Sequence, residues 1–195
     1  MTLSIGVDVG GTKILGGVVD EDGAIVEELR VESPATDAEQ IEKAIEQLVT
    51  ELASRHRIAA IGVGAAGYID KARSTVMFAP NIAWRNVALK ADLEARVNLP
   101  VVVENDANAA AWGEFTYGAG HDVEDLLLVT VGTGIGGGIV HDGELLRGAF
   151  GVGAEIGHMR VVPDGQLCGC GNRGCFEQYG SGSALVREAR AAARA

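Results

Sequence analysis

The sequence predicts an α/β protein with a mixed β-sheet, and three observations support this fold class. Short apolar runs rich in β-branched residues alternate with stretches in which apolar residues recur every three or four positions, the patterns of strands and helices. Their order along the chain is β-β-β-α-β-α-β-α, followed by a new strand, a glycine-rich turn and another strand. The 195 residues are 47% hydrophobic and 22% charged, close to the globular averages of about 45–50% and about 25%.

The first part of the chain opens with three predicted strands in an antiparallel meander, because an Asp-Gly hairpin signal at residues 22–23 joins the last two. The period then changes to that of a helix, and Thr36 with Glu39 forms a capping-box pattern in front of it. A continuous apolar run at residues 58–66 indicates a strand that is covered on both faces. The predicted strands are 3–9, 14–19, 24–31, 58–66 and 100–104, and the predicted helices are 38–52, 87–97 and 105–117.

A second strand–turn–strand opening follows the last of these helices and suggests a second lobe. Strand residues 126–131 lead into the glycine-rich residues 132–138, after which a strand resumes. The final predicted helix has Ser183 as its N-cap and continues without a glycine, asparagine or proline stop signal. We therefore expect an N-terminal lobe at residues 1–118 and the start of a C-terminal lobe, cut short, at residues 119–195.

Charge and composition argue against several classes of function. The chain carries 16 basic and 27 acidic residues, a net charge of −11, which disfavours sequence-independent binding to nucleic acid. It has no run of the roughly 18 apolar residues that span a membrane, and no cleavable leader pattern. Its three cysteines are an odd number and do not suggest a closed disulfide framework. We expect a soluble, cytoplasmic protein with no membrane partner.

The first candidate site is a tight turn after the first strand, where a carboxylate precedes two glycines, a hydroxyl and an ammonium group. Such a turn can direct consecutive backbone N–H groups at phosphate oxygens, and the carboxylate can hold Mg²⁺ directly or through water. The alternative is an ordinary hairpin turn, and the spacing of a Walker A loop is absent. The candidate residues are Asp8, Gly10, Gly11, Thr12 and Lys13.

A second glycine-rich turn occupies residues 132–138, in the same strand–turn–strand context. Two such turns, one in each half of the chain, could together hold a polyphosphate. The turn does not complete a dinucleotide-binding fingerprint, because a strand rather than a helix follows its glycines. The alternative is a strand with a glycine bulge.

The third candidate is Glu104-Asn105-Asp106, at the end of a parallel-type strand and the start of a helix. Ligands bind at this end of the strands in open α/β sheets. Asp106 can accept a proton from a hydroxyl group, and Asn105 can both donate to a sugar and accept from it. The alternative is that Asp106 only caps the helix.

The most specific pattern combines one histidine with all three cysteines of the chain, which lie within residues 168–175. Three thiolates and one imidazole form a complete tetrahedral zinc set, and a set of four protein ligands is typical of a structural site. The alternative is three unliganded thiols and a hydrogen-bonded histidine, which the clustering disfavours. The predicted ligands are His158, Cys168, Cys170 and Cys175.

These motifs, in this order and at this spacing, resemble the ROK family of sugar kinases and repressors over essentially the whole chain. The likeness rests on the turn at 8–13, the tripeptide at 104–106, the glycine turn at 132–138, Glu-x-x-His at 155–158 and the cysteine cluster. Within the family it is greatest to bacterial glucokinases of the actinobacterial type. The resemblance implies an actin-like, ribonuclease H-like ATPase fold with two lobes, of which the second is incomplete.

The resemblance also implies an activity: ATP-dependent phosphorylation of the 6-hydroxyl of glucose, a step of glycolysis, with Asp106 as the base that accepts the hydroxyl proton. It implies Mg²⁺ as the catalytic cofactor and Zn²⁺ as a structural one, held by the four predicted ligands. The implied sugar contacts are Gly67, Asn81, Asn105, Asp106, Glu155, His158 and Glu177. The implied phosphate contacts are Asp8, Gly10, Gly11, Thr12, Lys13, Thr133, Gly134 and Gly136.

Other functions within the same family stay open. A kinase for N-acetylmannosamine, fructose or allose would use much the same residues, because these hexoses share hydroxyl groups. A repressor that binds sugar and DNA needs an N-terminal helix-turn-helix, whereas here the phosphate turn begins by residue 8. Family members are longer, so a sugar-binding lobe without turnover is a third alternative. The resemblance further suggests a homo-oligomer, a dimer or a tetramer.

Overall fold

A mixed five-stranded sheet forms the centre of the first part of the chain in the computed structural model, which describes residues 2–194. The strands of this part are β1 (Leu3–Val9), β2 (Lys13–Val19), β3 (Ile25–Glu32), β4 (Ile58–Ala65), β5 (Tyr68–Ile69), β6 (Val76–Phe78), β7 (Arg85–Val87) and β8 (Val101–Asn105). The large sheet has the order β3-β2-β1-β4-β8. Strands β1 to β3 pair antiparallel, as predicted, while β4 pairs parallel with β1 and β8.

Helices α1 (Ala38–Ala53) and α2 (Leu89–Val97) pack against each other; α1 also packs on β2 and β3, and α2 on β8. The predicted apolar stripe of α1 is buried in the main core, as its spacing of three and four residues requires. The N-cap of α1 is Asp37 and not the predicted Thr36. Asp37 Oδ1 accepts hydrogen bonds from two N–H groups of the first turn, at 3.1 and 3.2 Å, which an aspartate carboxylate does well.

Strands β5, β6 and β7 form a small antiparallel sheet that the sequence pattern does not predict. Residues 87–97 are predicted to be helical, but Val87 ends β7 and α2 begins at Leu89. The helix begins later than predicted because Val87 pairs with Val76 of β6. Strand pairing between distant segments outweighs the local preference for helix here.

Helix α3 (Asp106–Tyr117) starts directly where β8 ends. A three-stranded antiparallel sheet follows, with β9 (Leu126–Val131), β10 (Ile135–His141) and β11 (Glu144–Leu145) in the order β11-β10-β9. After a 3₁₀ turn at Ile156–His158 come α4 (Glu177–Gly180) and α5 (Gly182–Ala192). Ser181, and not the predicted Ser183, caps α5, because its Oγ accepts the N–H of Ala184 at 3.2 Å.

Internal contacts divide the chain into two compact units. The first unit holds the residues up to Ala109 together with Arg147–Val152, and the second holds Ala110–Leu146 with the residues from Gly153 onward. The division falls within α3, whereas the sequence pattern predicts a lobe boundary after residue 118, at the end of that helix. The difference arises because the first turn of α3 packs against β4, where a Cβ on Gly64 would contact Asp106 and Ala109. Among residues 2–194, no helix is both long enough and apolar enough to cross a membrane.

Candidate active site

The register of the large sheet aligns the carboxyl ends of three parallel strands. Val9 of β1 lies beside Ala65 of β4, and Ala65 lies beside Asn105 of β8. The segments that leave these strands therefore begin at one edge of the sheet in the first unit, where ligands bind in α/β folds. These segments are the predicted phosphate turn, the turn at Gly67 and the start of α3.

The phosphate turn joins β1 to β2 and is closed by a hydrogen bond from the N–H of Gly10 to the carbonyl oxygen of Lys13, at 3.0 Å. Burial raises the pKa of the Asp8 carboxyl, while the positive charge of Lys13 acts in the opposite direction. The carboxylate before the turn and the lysine after it thus interact electrostatically. A carboxylate in this position is a suitable ligand for hydrated Mg²⁺.

Hydrogen bonds hold the side chain of Asn105 at the end of β8. Its Nδ2 donates to the carbonyl oxygen of Gly67 at 3.1 Å, and its Oδ1 accepts the N–H of Asn108 at 3.0 Å. The acceptor that satisfies the first turn of α3 is therefore Asn105, in the manner of an N-cap. Asp106 accepts the neighbouring N–H of Ala107 at 2.9 Å and also receives hydrogen bonds from its own N–H and from the side chain of Asn105. It does not take the capping position, which Asn105 fills.

The environment of Asp106 favours proton uptake. Burial raises the pKa of its carboxyl, the N–H of Ala107 lowers it, and the negative charge of Asp8 raises it again, with a net shift upward. A carboxylate with a raised pKa accepts a proton at neutral pH more readily than an ordinary aspartate does. Perturbed carboxyl groups at the ends of parallel strands are typical of active sites.

The loop that carries Asn81 lies against the other predicted segments of the first unit. A Cβ on Gly11 would lie 3.1 Å from the carbonyl oxygen of Asn81. A Cβ on Gly67 would lie 2.7 Å from the carbonyl oxygen of Phe78, which is too close, so this turn requires glycine. The structure thus brings Gly11, Gly67, Asn81 and Asn105 together in the first unit.

Arg85 organises this loop, although no sequence motif points to it. Its guanidinium lies 4.0 Å from the centre of the Phe78 ring. Its Nη1 donates to the carbonyl oxygens of Ala79, Ile82 and Trp84, at 2.6, 3.0 and 2.6 Å. No short-range pattern could reveal this role, because it depends on how the loop folds around the guanidinium.

The glycine-rich turn of the second unit joins β9 to β10. The first two N–H groups of α5 donate to the carbonyl oxygens of Gly132 and Thr133, at 2.8 and 3.3 Å, and so fix the turn. A side chain at Gly134 would lie 2.8 Å from Oε2 of Glu177, which places this predicted phosphate contact beside a predicted sugar contact. Gly136 lies within β10, where its N–H donates to the hydroxyl of Thr130 at 3.2 Å.

The predicted zinc ligands form a tight group in the second unit. The ligand atoms of His158, Cys168, Cys170 and Cys175 all lie within 4.8 Å of one another. Cys168 Sγ is 3.6 Å from His158 Nδ1, and the Sγ atoms of Cys170 and Cys175 are 3.7 Å apart. Three sulfur donors and one imidazole in so small a volume fit Zn²⁺ by number and by type.

The two ring nitrogens of His158 face different neighbours. Nδ1 is directed at Cys168, whereas Nε2 lies 3.8 Å from Oε2 of Glu155. Glu177 also adjoins the histidine, with Oε1 3.9 Å from Nδ1. Glu155 and Glu177, two predicted sugar contacts, therefore lie next to His158, which is predicted both as a sugar contact and as a zinc ligand.

The chain belongs to the ROK family, because the family model matches residues 4–195. It is 57% identical to the glucokinase of Streptomyces coelicolor over 195 residues, which is all of this chain and 61% of the relative. It is 37% identical to the xylose repressor of Bacillus subtilis over 189 residues, which is 94% of this chain and 49% of the repressor. The family likeness inferred from the motifs is confirmed.

A solved structure shares the fold closely. The ROK family glucokinase from Streptomyces griseus, in complex with glucose and AMPPNP, superposes with a TM-score of 0.92 at 58% sequence identity. The superposition covers 98% of this chain and 61% of the other. The actin-like ATPase fold predicted from the resemblance is thereby confirmed. The chain spans less than two thirds of the length of these Streptomyces relatives.

Proposed function

We propose that this protein catalyses the ATP-dependent phosphorylation of the 6-hydroxyl of glucose. The observation that carries the proposal is Asp106, a carboxylate whose pKa is raised by desolvation, next to an asparagine and the phosphate turn at one edge of the sheet. The high identity to the Streptomyces coelicolor glucokinase and the likeness to a structure with glucose and AMPPNP support glucose and ATP as the substrates.

In the proposed reaction, Asp106 accepts the proton of the 6-hydroxyl as that oxygen attacks the γ-phosphorus of ATP. A bond forms between the sugar oxygen and the γ-phosphorus, and the bond from this phosphorus to the bridging oxygen of the β-phosphate breaks. The products are glucose 6-phosphate and ADP. This chemistry depends mainly on positioning and on neutralisation of charge, and the first unit supplies both a base and a phosphate turn.

Each unit offers groups that can hydrogen-bond to the hydroxyls of a hexose. In the first unit, the amide of Asn105 is fixed by its bond to Gly67, and Asn81 lies beside the phosphate turn. In the second unit, Glu155 and Glu177 flank the ring of His158. Carboxylates and amides of this kind can form charge-assisted or bidentate hydrogen bonds with the hydroxyls of a hexose.

Each unit also offers a glycine-rich turn that can bind phosphate in this proposal. In the first turn the N–H groups of Gly11 and Thr12 and the ammonium of Lys13 would contact phosphate oxygens, with Asp8 as the ligand of Mg²⁺, whereas the N–H of Gly10 is engaged by the carbonyl oxygen of Lys13. When bound, Mg²⁺ neutralises charge on the transferring phosphate. In the second turn Thr133 and Gly134 are the proposed contacts, whereas the N–H of Gly136 is engaged within β10.

Zn²⁺ is proposed as a structural ion held by His158, Cys168, Cys170 and Cys175. When bound, it supplies a rigid cross-link and no chemistry of its own. His158 would use Nδ1 toward the metal and keep Nε2 for a sugar hydroxyl, as the neighbours of its two nitrogens suggest. A structural metal would then influence sugar affinity through the orientation of one imidazole ring.

The test is a coupled assay of ADP release with ATP, Mg²⁺ and a panel of hexoses that includes N-acetylmannosamine, fructose and allose. We expect glucose to give the highest kcat/KM. Asp106→Asn should remove this activity. The matched control is Asp20→Asn, which changes an aspartate of the β2–β3 turn. Preference for another hexose would retain a ROK kinase but reject glucose as its substrate.

The alternative within the same family is sugar binding without turnover. Calorimetry separates the two candidates. Glucose binding together with ADP release supports the kinase, whereas glucose binding without ADP release supports the binding module.

We also propose that the protein is a cytoplasmic homo-oligomer, a dimer or tetramer, since the family resemblance suggests this assembly. Light scattering coupled to size-exclusion chromatography tests it directly. A mass near 20.2 kDa would contradict the proposal, because that is the mass of one chain.

A further inference from the structure

Glu104 is a buried carboxylate at the end of β8, directly before the proposed sugar ligand and base. Its exposed fraction is 7%. A buried carboxylate is stable only when its oxygens receive hydrogen bonds or opposite charge. The two oxygens of Glu104 meet this requirement with two different sets of partners, and this division indicates a specific role.

One oxygen of Glu104 holds the start of α3. Its Oε1 accepts the N–H of Asn105 at 3.1 Å and the Nδ2 of Asn108 at 3.3 Å. Asn108 donates its own N–H to Oδ1 of Asn105, so the three residues form a closed network. This network fixes the main chain of Asn105, whose side chain then reaches Gly67.

The other oxygen of Glu104 faces two arginines. Arg147 donates its Nε to Oε2 at 2.7 Å, and Nε of Arg73 lies 3.3 Å from the same oxygen. Burial lowers the pKa of the Arg73 guanidinium, and the positive charge of Arg147 lowers it further, so the two cations repel each other. Glu104 supplies the negative charge that lets both guanidiniums lie at this position.

Arg147 begins the segment Arg147–Val152, which belongs to the first unit although its neighbours in sequence belong to the second. Glu104 is therefore one attachment point of that segment. A second attachment lies at Gly151, whose φ of +95° and close approach to the backbone of Ile69 and Asp70 leave no space for a side chain.

Asn108 supports the interpretation that the network serves function as well as stability. It is 2% exposed, and its Oδ1 is buried without a hydrogen-bond partner among residues 2–194. A buried amide oxygen without a partner lowers stability, so a fold selected for stability alone would favour a different residue here. The amide instead serves to hold Glu104 and, through it, Asn105.

We propose that Glu104 is a positioning residue for the sugar site. Through Oε1 it fixes the sugar ligand Asn105 and the first turn that carries Asp106, and through Oε2 it holds Arg147 and the segment that follows. The inference rests on the proposed function, since it assigns Asn105 to the sugar. Glu104 itself touches neither the sugar nor the phosphate in this proposal.

The principal test replaces Glu104 by glutamine. Glu104→Gln keeps one acceptor oxygen but removes the charge between the two arginines, so the network at Asn105 loosens. We expect the Kd of glucose, measured by calorimetry, to rise about tenfold or more, as for the loss of a charge-assisted hydrogen bond that orders a ligand group. The KM of glucose should rise in parallel, with a smaller change in kcat.

The matched control is Glu94→Gln. Oε1 of Glu94 accepts the N–H of Val101 at 3.0 Å, so it also holds a backbone group of β8, but at the other end of the strand. We expect this variant to bind glucose within twofold of the unaltered protein. Equal loss of glucose affinity in both variants would overturn the positioning role, because it would show a general effect of weakening β8.

Hydrogen exchange provides a readout that does not need sugar. In Glu104→Gln the N–H of Asn105 should exchange at least tenfold faster, whereas in Glu94→Gln it should not. If the unaltered protein binds no glucose, the proposed function fails, and exchange alone decides whether Glu104 holds Asn105. If Glu104→Gln does not fold, Asn108→Ala replaces it, since that change removes a donor to Oε1 and leaves both arginines in place. Unchanged glucose affinity and exchange in the folded variant would reject the proposal.

Discussion

Replacement of Asp106 by asparagine should raise stability while it removes phosphorylation. The side chain keeps its size, and the amide oxygen can still accept the N–H of Ala107, which lies 2.9 Å from Oδ1 in the aspartate. Only the charge and the capacity to take up a proton are lost. The two effects therefore follow from electrostatics, because the packing around the position is unchanged.

The expected loss of activity follows from the role of a general base. Such a group contributes about 10²–10⁴-fold to a rate, so Asp106→Asn should lower kcat by that factor. At 1.36 kcal/mol for each tenfold, this equals about 3–5 kcal/mol of transition-state stabilisation. Glucose affinity should change by less than about threefold, since the amide retains a hydrogen-bonding group at the same place.

The sign of the stability change follows from the pKa. Burial and the charge of Asp8 raise the pKa of Asp106 above the ordinary value of 3.8. The folded protein therefore binds this proton more tightly than the unfolded chain, and stability falls as pH rises through the raised pKa. Asp106→Asn removes this loss, so the variant should unfold at a higher temperature at pH 7, with no difference well below pH 3.8.

The assay is thermal unfolding of both proteins at pH 7 and at low pH, beside the coupled assay of ADP release. Asp70→Asn is the control of opposite sign. Burial raises the pKa of Asp70, but hydrogen bonds from Ser74 and Thr75 outweigh this and lower it, so its removal should lower the unfolding temperature at pH 7. The reasoning is refuted if Asp106→Asn is less stable than the unaltered protein at pH 7, or if it keeps full turnover.

Three further predictions concern the metal, the sugar turn and the pH profile. Cys170→Ser should lose bound zinc by elemental analysis, whereas His121→Ala, at a surface histidine paired with Asp122, should keep it. Equal zinc in both variants would reject the assigned ligands. Gly67→Ala should weaken glucose binding in calorimetry at least tenfold, because a Cβ would lie 2.7 Å from a carbonyl oxygen, whereas Gly62→Ala meets nothing within 4 Å and should bind normally. The rate of phosphorylation should rise with pH through the pKa of Asp106, with a midpoint above 3.8, and a midpoint at or below that value would contradict the raised pKa.

Much of the fold could be predicted from local patterns. Apolar runs and the Asp-Gly hairpin signal placed β1 to β4, and the helical period placed α1 within a residue or two of its bounds. These signals suffice because each depends on residues close together in sequence. Family motifs then supplied the arrangement of the sheets, which local patterns alone do not specify.

The parts that were not predicted depend on distant contacts. Strand β7 forms because Val87 pairs with Val76, although its sequence favours continuation into a helix. The caps at Asp37 and Ser181 differ from the predicted ones by one or two residues, since neighbouring polar residues compete for the same role. Helix ends are therefore set by the geometry of the preceding loop.

The same difference between local signals and distant contacts applies to the candidate site. The carboxylate and amide at the end of β8 and the clustered cysteines could be selected from sequence, because their spacing is distinctive. Arg85 and the two arginines around Glu104 could not, since arginines are common and their partners lie far away along the chain. Residues that position a ligand group become visible only when the backbone brings their partners together.

The most direct test of the proposed activity is a phosphorus NMR spectrum of the protein incubated with ATP, Mg²⁺ and glucose. The account predicts a phosphomonoester signal at the 6-position of glucose that grows in step with ADP and does not appear with Asp106→Asn. Formation of ADP with inorganic phosphate and no sugar phosphate would contradict it, because the γ-phosphate would then go to water and not to the 6-hydroxyl. A spectrum without any loss of ATP would equally contradict the kinase activity.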